Sequence, residues 1–352
     1  MKKSLLLCVL GISIATWVSA QRKDDVPTHS IYIKAVDEYV PAPGQFVNKL
    51  PEYEKDDTPE KMAEKCTKCL ANDQRTLITL GAYGGYVTFH FDHSIANIKG
   101  KKDVYIMGNA FSSGTGRGSC EPGIVMVSKD VNGNGKPDDP WYELSGSCDV
   151  DSVGKVVYGY ELTYTRKDME DIPWTDNQGN SGKVERNQFH SQEFYPLWLP
   201  PMTTFKGTRL PQNGWDIGKS GSQYWVQYFF RYGYVDNKPN SDRDACSFDF
   251  DWAVDAHRNP VKIDFVDFIR VYNGMNQMCG WLGETSTEVL GAEDLHLEES
   301  LAAIATSING VTSADAVEVG RYSIDGRKLD APQRGVNIVR MSDGTVRKVI
   351  VK

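Results

Sequence analysis

Apolar residues along this chain recur mostly with period two or in short runs. Residues 86–91 and 156–164 alternate apolar with polar positions, the pattern of a half-buried strand. Apolar or β-branched runs stand at 76–80, 103–107, 123–127, 141–144 and 265–272, each bounded by turn-forming residues. Thr58-Pro59-Glu60 opens the clearest helix. Thr58 can cap the first turn, Pro59 suits the first helical position, and Glu60 suits the positive end of the helix dipole. This helix is expected to run to about Leu70. Residues 21–57 are polar and proline-containing, with one strand-like run at 31–35. Residues 171–220, rich in Asn, Gly, Pro and Trp, predict long ordered loops. Together these elements predict a mainly β fold, a β-sandwich or jelly roll with one short N-terminal helix and a small C-terminal β module.

The ends of the chain have different patterns. Lys2 and Lys3, then an uncharged apolar stretch at 5–17, then Val18-Ser19-Ala20, predict a signal peptide over residues 1–20. The stretch is too short and wrongly flanked for a spanning helix. The main β domain is then expected over 21–290. Residues 291–315 turn small and acidic and predict a linker, with a helical turn at 298–305. Residues 316–352 predict a compact β unit with strands at 317–324, 335–341 and 345–351, joined by turns at Asp325-Gly326 and Asp343-Gly344. That unit is too short to hold much core of its own.

Charge narrows the partners. Formal net charge is −8, and no basic block occurs, which argues against nucleic acid. Of seven cysteines, Cys8 leaves with the signal peptide. Six thiols in an exported chain suggest disulfides. Cys120 with Cys148 and Cys246 with Cys279 are the expected pairs, since each pair flanks a strand–loop–strand segment; other connectivities stay open. Cys66 and Cys69 have redox spacing but lack a thioredoxin-like surround.

The most specific chemical pattern is Asp130, Asn132, Asn134, Lys136, Asp138 and Asp139, with Gly135 at the sixth place. A loop curling round one cation points every second side chain inward, and calcium takes six to eight oxygens, including a carbonyl such as that of Lys136. Position twelve is Trp141, so the bidentate Glu of an EF-hand is missing, and Glu143 or a distant carboxylate would complete the shell. A plain Asn-Gly turn with solvated carboxylates is the competing reading. A second acidic stretch, Asp236, Asn237, Asn240 and Asp242, followed by Asp249 and Asp251 on one strand face, can hold a polar ligand or a second cation, or stay a solvated loop. His90 and Asp92 share a strand face and His93 points away, which does not gather a zinc site. Trp198 and Trp215 lie in loop-like contexts where an indole can stack on a sugar, or simply fill a core. Gly-x-Ser-x-Gly and His-Glu-x-x-His are absent.

Several segments resemble a group of secreted Bacteroidetes cell-surface proteins: Gly84-Gly85-Tyr86-Val87, Phe91-Asp92-His93, Gly108-Asn109-Ala110-Phe111, Glu121-Pro122-Gly123-Ile124-Val125, the 130–143 loop, Asp255, Asp267-Phe268-Ile269 and Gly283-Glu284. The resemblance covers most of residues 30–290. It implies a jelly-roll, discoidin-like binding core and surface nutrient capture, of glycans or corrinoids, beside outer-membrane uptake machinery. The tail, from Arg321 through Gly335 to Lys352, is similar to C-terminal sorting domains of type IX secretion. The expectation is an exported ligand-binding protein of the cell surface, outer membrane or extracellular space, with a small-molecule or glycan ligand and a structural calcium. It is expected to bind rather than catalyse. A glycan-active hydrolase or lyase, and a structural surface protein without a small ligand, are the alternatives.

Overall fold

Alternation at residues 86–91 builds an inner strand of the main sheet. Tyr86–Ala96 pairs with Ala35–Val40 on one side and Phe265–Asn273 on the other. The antiparallel sheet has six strands, in the order Ala35–Val40, Tyr86–Ala96, Phe265–Asn273, Gly123–Ser128, Trp141–Leu144, Ala253–Val254. The computed structural model describes residues 29–219, 221–310, 317–323, 326–341 and 346–351. The expected signal peptide and the turn residues Asp325, Asp343 and Gly344 lie outside these.

Period two sends Val87, Phe89 and Phe91 to one face of this sheet, together with Val125, Val127, Ile269 and Val271. There they meet Met62, Cys66 and Leu70 of the helix Pro59–Leu70, and Val104 and Ile106 of a three-stranded sheet. Burying one such side chain is worth about 1.5–3 kcal/mol. Thr58 caps the helix by accepting from the Lys61 amide at 3.3 Å, and Pro59 stands in its first turn as expected. Ile124 and Tyr272, on the opposite face, pack with Leu210, Phe230, Tyr234 and Met275. A second sheet, in the order Ser181–Val184, Ile172–Asp176, Val157–Thr165, Met202–Arg209, encloses a tyrosine-rich core of Tyr83, Tyr160, Tyr164 and Tyr195. The described chain is thus mainly β, in a sandwich-like arrangement.

The structure departs from the sequence expectations in three places. Residues 171–220 include the expected loops, notably 185–201, but are not loops throughout. They carry a hairpin, Ile172–Asp176 with Ser181–Val184, and the long strand Met202–Arg209. Asp176 closes the hairpin turn by accepting from the Gln178 and Asn180 amides at 2.9 and 2.7 Å. The polar turn residues and prolines hide that periodicity. Residues 291–315 are not simply a linker. Gly291–Asp294 is a buried strand paired with Val104–Met107, and Leu297–Gly310 is a second helix. Small side chains at Gly291 and Ala292 reflect close packing rather than a flexible link. Asp249 and Asp251 do not share a strand face; Asp249 caps the short 3-10 turn Phe250–Trp252 through the Asp251 amide at 2.8 Å.

The tail forms its own four-stranded sheet, in the order Lys328–Leu329, Glu318–Ser323, Gly335–Met341, Val346–Val351. Among the described residues, no helix is long and apolar enough to cross a membrane.

Candidate functional site

Residues 283–288 read Gly-Glu-Thr-Ser-Thr-Glu, a sequence that looks like a solvated loop. The structure buries all the side chains from Glu284 to Glu288. Gly283, after the 3-10 turn Gly280–Leu282, has φ +91°, and a Cβ there would stand 2.6 Å from Gln45 Nε2. Only glycine lets the chain pass so close in this conformation. The passage sets the Glu284 carboxylate against the Gln45 backbone, whose amide donates to Oε1 at 2.7 Å. Gly44 makes room, since a Cβ on it would lie 2.6 Å from the same oxygen. Glu284 Oε2 is buried and has no hydrogen-bond partner, and Glu284 as a whole is 3 % exposed.

Three more carboxyls lie beside it. Glu121 Oε1 accepts from the Ser286 amide at 2.9 Å. Asp236 Oδ1 accepts from the amides of Asn109 and Ala110 at 2.6 and 2.7 Å, and its Oδ2 from the Glu288 amide at 3.0 Å. Glu288 Oε1 accepts from Thr79 Oγ1 at 3.2 Å. Oxygens of Glu121, Asp236 and Glu288 come within 4.8 Å of one another. Burial, then the Asp236 carboxylate, push Glu121 above the usual carboxylate range. Burial also raises Asp236, and burial followed by Glu121 and Asp236 raises Glu288 strongly. Carboxyls this close disfavour ionising together. Burial raises Glu284 to about 7.

Glu121, Glu284 and Glu288 line a cleft of about 340 Å³. That volume lies at the small end of the range for small-molecule sites, about 300–1,000 Å³. Phe111, Phe189 and Trp281 also line it, although they are 58 %, 63 % and 51 % exposed. Exposed rings beside a floor of hydrogen-bonding carboxyls suit a ligand with apolar faces and many hydroxyls.

Of the sequence candidates, Asp236 alone belongs to this carboxyl group, as its buried base. Asn237 is structural: its amide side chain bonds the backbone N–H and C=O of Phe230 at 2.8 and 2.9 Å. Asn240 does the same for Gly108 at 3.1 and 2.7 Å, and the exposed Asp242 accepts from the Ala245 amide at 3.2 Å. Trp198 does not line this cleft; it is partly buried against the main core, with Tyr39 stacked on it at 5.7 Å and Tyr53 at 5.8 Å. Trp215 is 44 % exposed and lines a separate groove of about 360 Å³ with Pro211 and Asn276. Sequence reading missed Glu121, Glu284 and Glu288 among many acidic residues, and Phe111, Phe189 and Trp281 among many aromatics. The available signals were the segments of the resemblance that hold Phe111, Glu121 and Glu284, and two glutamates in an uninterrupted polar run between Leu282 and Val289.

The 130–139 loop joins Gly123–Ser128 to Trp141–Leu144 as a hairpin. Asp130 accepts from the amides of Asn134 and Gly135 at 3.1 and 2.8 Å. Asn132 and Asn134 donate to Asp138 at 2.9 and 3.0 Å, and Asp139 accepts from the Val131 amide at 3.0 Å. The Lys136 carbonyl accepts from the Asp138 amide at 2.9 Å. Glu143 does not complete this group: it takes Tyr272 Oη at 2.7 Å, Thr208 Oγ1 at 2.8 Å and Arg258 at 2.7 Å. Asp267 abuts the loop instead, accepting from the Asp130 amide at 2.7 Å.

His29, Asp92 and His93 also bring ligand-type atoms within 4.8 Å of one another. Both ring nitrogens of His93 are taken, by Asp92 and Asp294, each at 2.8 Å. Burial alone would lower its pKa, but the two carboxylates outweigh burial and raise it. With both ring nitrogens engaged by carboxylates, His93 keeps none free for a metal.

All six described cysteines are free thiols, so the expected pairs Cys120–Cys148 and Cys246–Cys279 are not made. Their environments differ. Cys148 packs with Phe230 and Tyr234, Cys246 with Tyr105 and Met107, while Cys120 and Cys279 both receive side-chain amides from the Asn213–Gln277 pair. No protein-family model matches this chain, and no match was found among curated proteins.

Proposed function

We propose that this is an exported cell-surface protein that binds glycans in the cleft above Glu121, Glu284 and Glu288. The observation that carries the reading is the pairing of buried carboxyl acceptors with three exposed aromatic rings around one cleft. A carboxyl oxygen without a protein partner, such as Glu284 Oε2, can take a sugar hydroxyl, and rings stack on the C–H face of a pyranose. The volume suits a short sugar segment and is small for a corrinoid macrocycle. The 130–139 loop serves as a structural calcium loop in this reading, with Asp267 beside it. Export rests on the leader pattern at residues 1–20, and surface-fraction protein is expected to begin at Gln21. An intact Met1 in that fraction, found by mass spectrometry, would remove the export part.

Screening the purified protein on a glycan array tests the binding part. Retention of a defined glycan set, lost on Trp281→Ala, is the expected result; no retention on any glycan overturns the reading. A glycan hydrolase is the second reading. Glu284, raised to about 7, is a carboxylic acid able to donate a proton near neutral pH beside other carboxyls. Release of shortened sugars from an array-positive oligosaccharide would favour it over simple binding.

A further inference from the structure

We infer that Asn132 is a site of spontaneous deamidation in the folded protein, while hydrogen bonds to the following glycine protect Asn134, Asn213 and Asn273. The inference goes beyond glycan binding and needs no bound ligand. Asparagine is a chemically labile residue. It is most labile before glycine, where no side chain blocks attack by the next backbone nitrogen. Such pairs stand at Asn132-Gly133, Asn134-Gly135, Asn213-Gly214 and Asn273-Gly274. A further pair, Asn309-Gly310, lies outside the described side chains.

The reaction needs a free glycine nitrogen and an asparagine side chain folded back over it. The Gly135 amide is committed to Asp130 Oδ2 at 2.8 Å, that of Gly214 to Gln277 Oε1 at 3.1 Å and that of Gly274 to the Pro122 carbonyl at 3.3 Å. Asn213 and Asn273 are also buried, away from the water the reaction consumes. The Gly133 amide has no hydrogen-bond partner among the described residues. Gly133 is exposed, with φ +70° and open space where a Cβ would stand. Asn132 is exposed too, and its Oδ1 accepts from the Asn134 amide at 3.0 Å. This turn, closed by the side chain onto the backbone two residues on, folds Cγ back toward the Gly133 peptide. Asn134 makes the same turn with the Lys136 amide at 2.8 Å, and both asparagines donate from Nδ2 to Asp138. The two neighbouring pairs therefore differ at the glycine nitrogen, free in one and held in the other.

Water is the one co-reactant. The Gly133 nitrogen forms a bond to Asn132 Cγ and gives up its proton. The Cγ–Nδ2 bond breaks, and that nitrogen leaves with the proton as ammonia. Water then opens the resulting succinimide, at Cγ to give aspartate or at the main-chain carbonyl to give isoaspartate. Either product loses the Nδ2 donor to Asp138 and adds a negative charge to a loop that already holds Asp130, Asp138 and Asp139. Isoaspartate also lengthens the backbone inside the hairpin loop.

Peptide mass spectrometry of the purified protein, aged in mildly alkaline buffer with chelator, tests the inference. In folded protein Asn132 should convert at least tenfold faster than Asn134, Asn213 or Asn273, with fragment ions separating Asn132 from Asn134. In urea-unfolded protein the four rates should draw together, since glycine follows each asparagine. Asp130→Ala removes the acceptor of the Gly135 amide, so Asn134 should convert severalfold faster in that variant while Asn213 and Asn273 stay protected. Circular dichroism checks that the variant is folded; if it is not, the comparison of folded with unfolded wild type decides. The inference is overturned if Asn134 converts as fast as Asn132 in the folded wild type, or if Asn132 stays intact over a period in which unfolded protein converts it. An unchanged Asn134 rate in folded Asp130→Ala would equally contradict it.

Discussion

The Glu288 amide donates to Asp236 Oδ2 at 3.0 Å, across 52 residues of sequence. This one contact ties the polar 283–288 run to the loop that follows Tyr234, and so sets the floor of the cleft. Asp236→Asn should be strongly felt. The amide keeps an acceptor for Asn109 and Ala110 but turns an N–H toward the Glu288 N–H. The expected loss is about 2–3 kcal/mol, the cost of a buried donor left unpaired. Urea unfolding of the variant measures it, and a loss under 0.5 kcal/mol, about the effect of a neutral surface change, would show that the contact contributes little.

Stability should fall as pH rises from about 5 to 8. Glu284 is raised from 4.5 to about 7, so its contribution is full below about 4.5 and is lost as pH climbs through about 7. A shift of that size corresponds to about 3 kcal/mol. His93 acts in the same direction at higher pH. Its folded value is raised above 6.5, so its ion pairs stabilise below that value and are lost as pH rises through the folded value. Melting curves across this range should therefore slope downward in chelator. Glu284→Gln should flatten the lower part of the slope and His93→Gln the upper part.

Trp198 should prove to be a stability residue. Its ring stacks with Tyr39 and with Tyr53, and its Nε1 is buried without a partner. Trp198→Ala is expected to cost about 3–5 kcal/mol, as for large-to-small core changes. Trp198→Phe keeps a stacking ring and deletes the unpaired N–H, so it should cost much less. Thermal unfolding of both variants, beside array binding of Trp198→Phe, separates structure from recognition.

The 130–139 loop offers a further test. Asp130→Ala removes the acceptor for two backbone amides, so about 1 kcal/mol should be lost even in chelator. In calcium, the wild type should gain stability that the variant lacks in part. Equal melting temperatures of wild type and variant in both conditions would dismiss the loop as a calcium element.

The fold was readable where side chains alternate in place. Residues 86–91 showed their period because one face meets a continuous core, and 123–127 showed as an apolar run because both its faces are covered. The helix at Pro59–Leu70 was readable from Thr58 and Pro59, whose signals are local. Residues 172–184 and 202–209 were not, since glycine, asparagine and proline at their turns mask short strands that only pairing stabilises. The Gly291–Asp294 strand was hidden because small residues there suit close packing as well as a linker. The site was harder still. Asp236 stood out as part of an acidic stretch, but its partners Glu121 and Glu288 lie far away in sequence, and burial changes their chemistry in a way no spacing reveals. Trp198 and Trp281 look alike as letters; one is stacked inside and the other stands at the cleft.

The most direct test of the account compares Trp281→Ala with Trp215→Ala in titrations of the best array glycan. Both rings are exposed, so neither change should unfold the protein, and they mark two different openings. Trp281→Ala is expected to weaken binding tenfold or more, which is about 1.4 kcal/mol, while Trp215→Ala leaves affinity within twofold. Full affinity in Trp281→Ala, or loss confined to Trp215→Ala, would contradict the assignment of the glycan site to the Glu284 cleft.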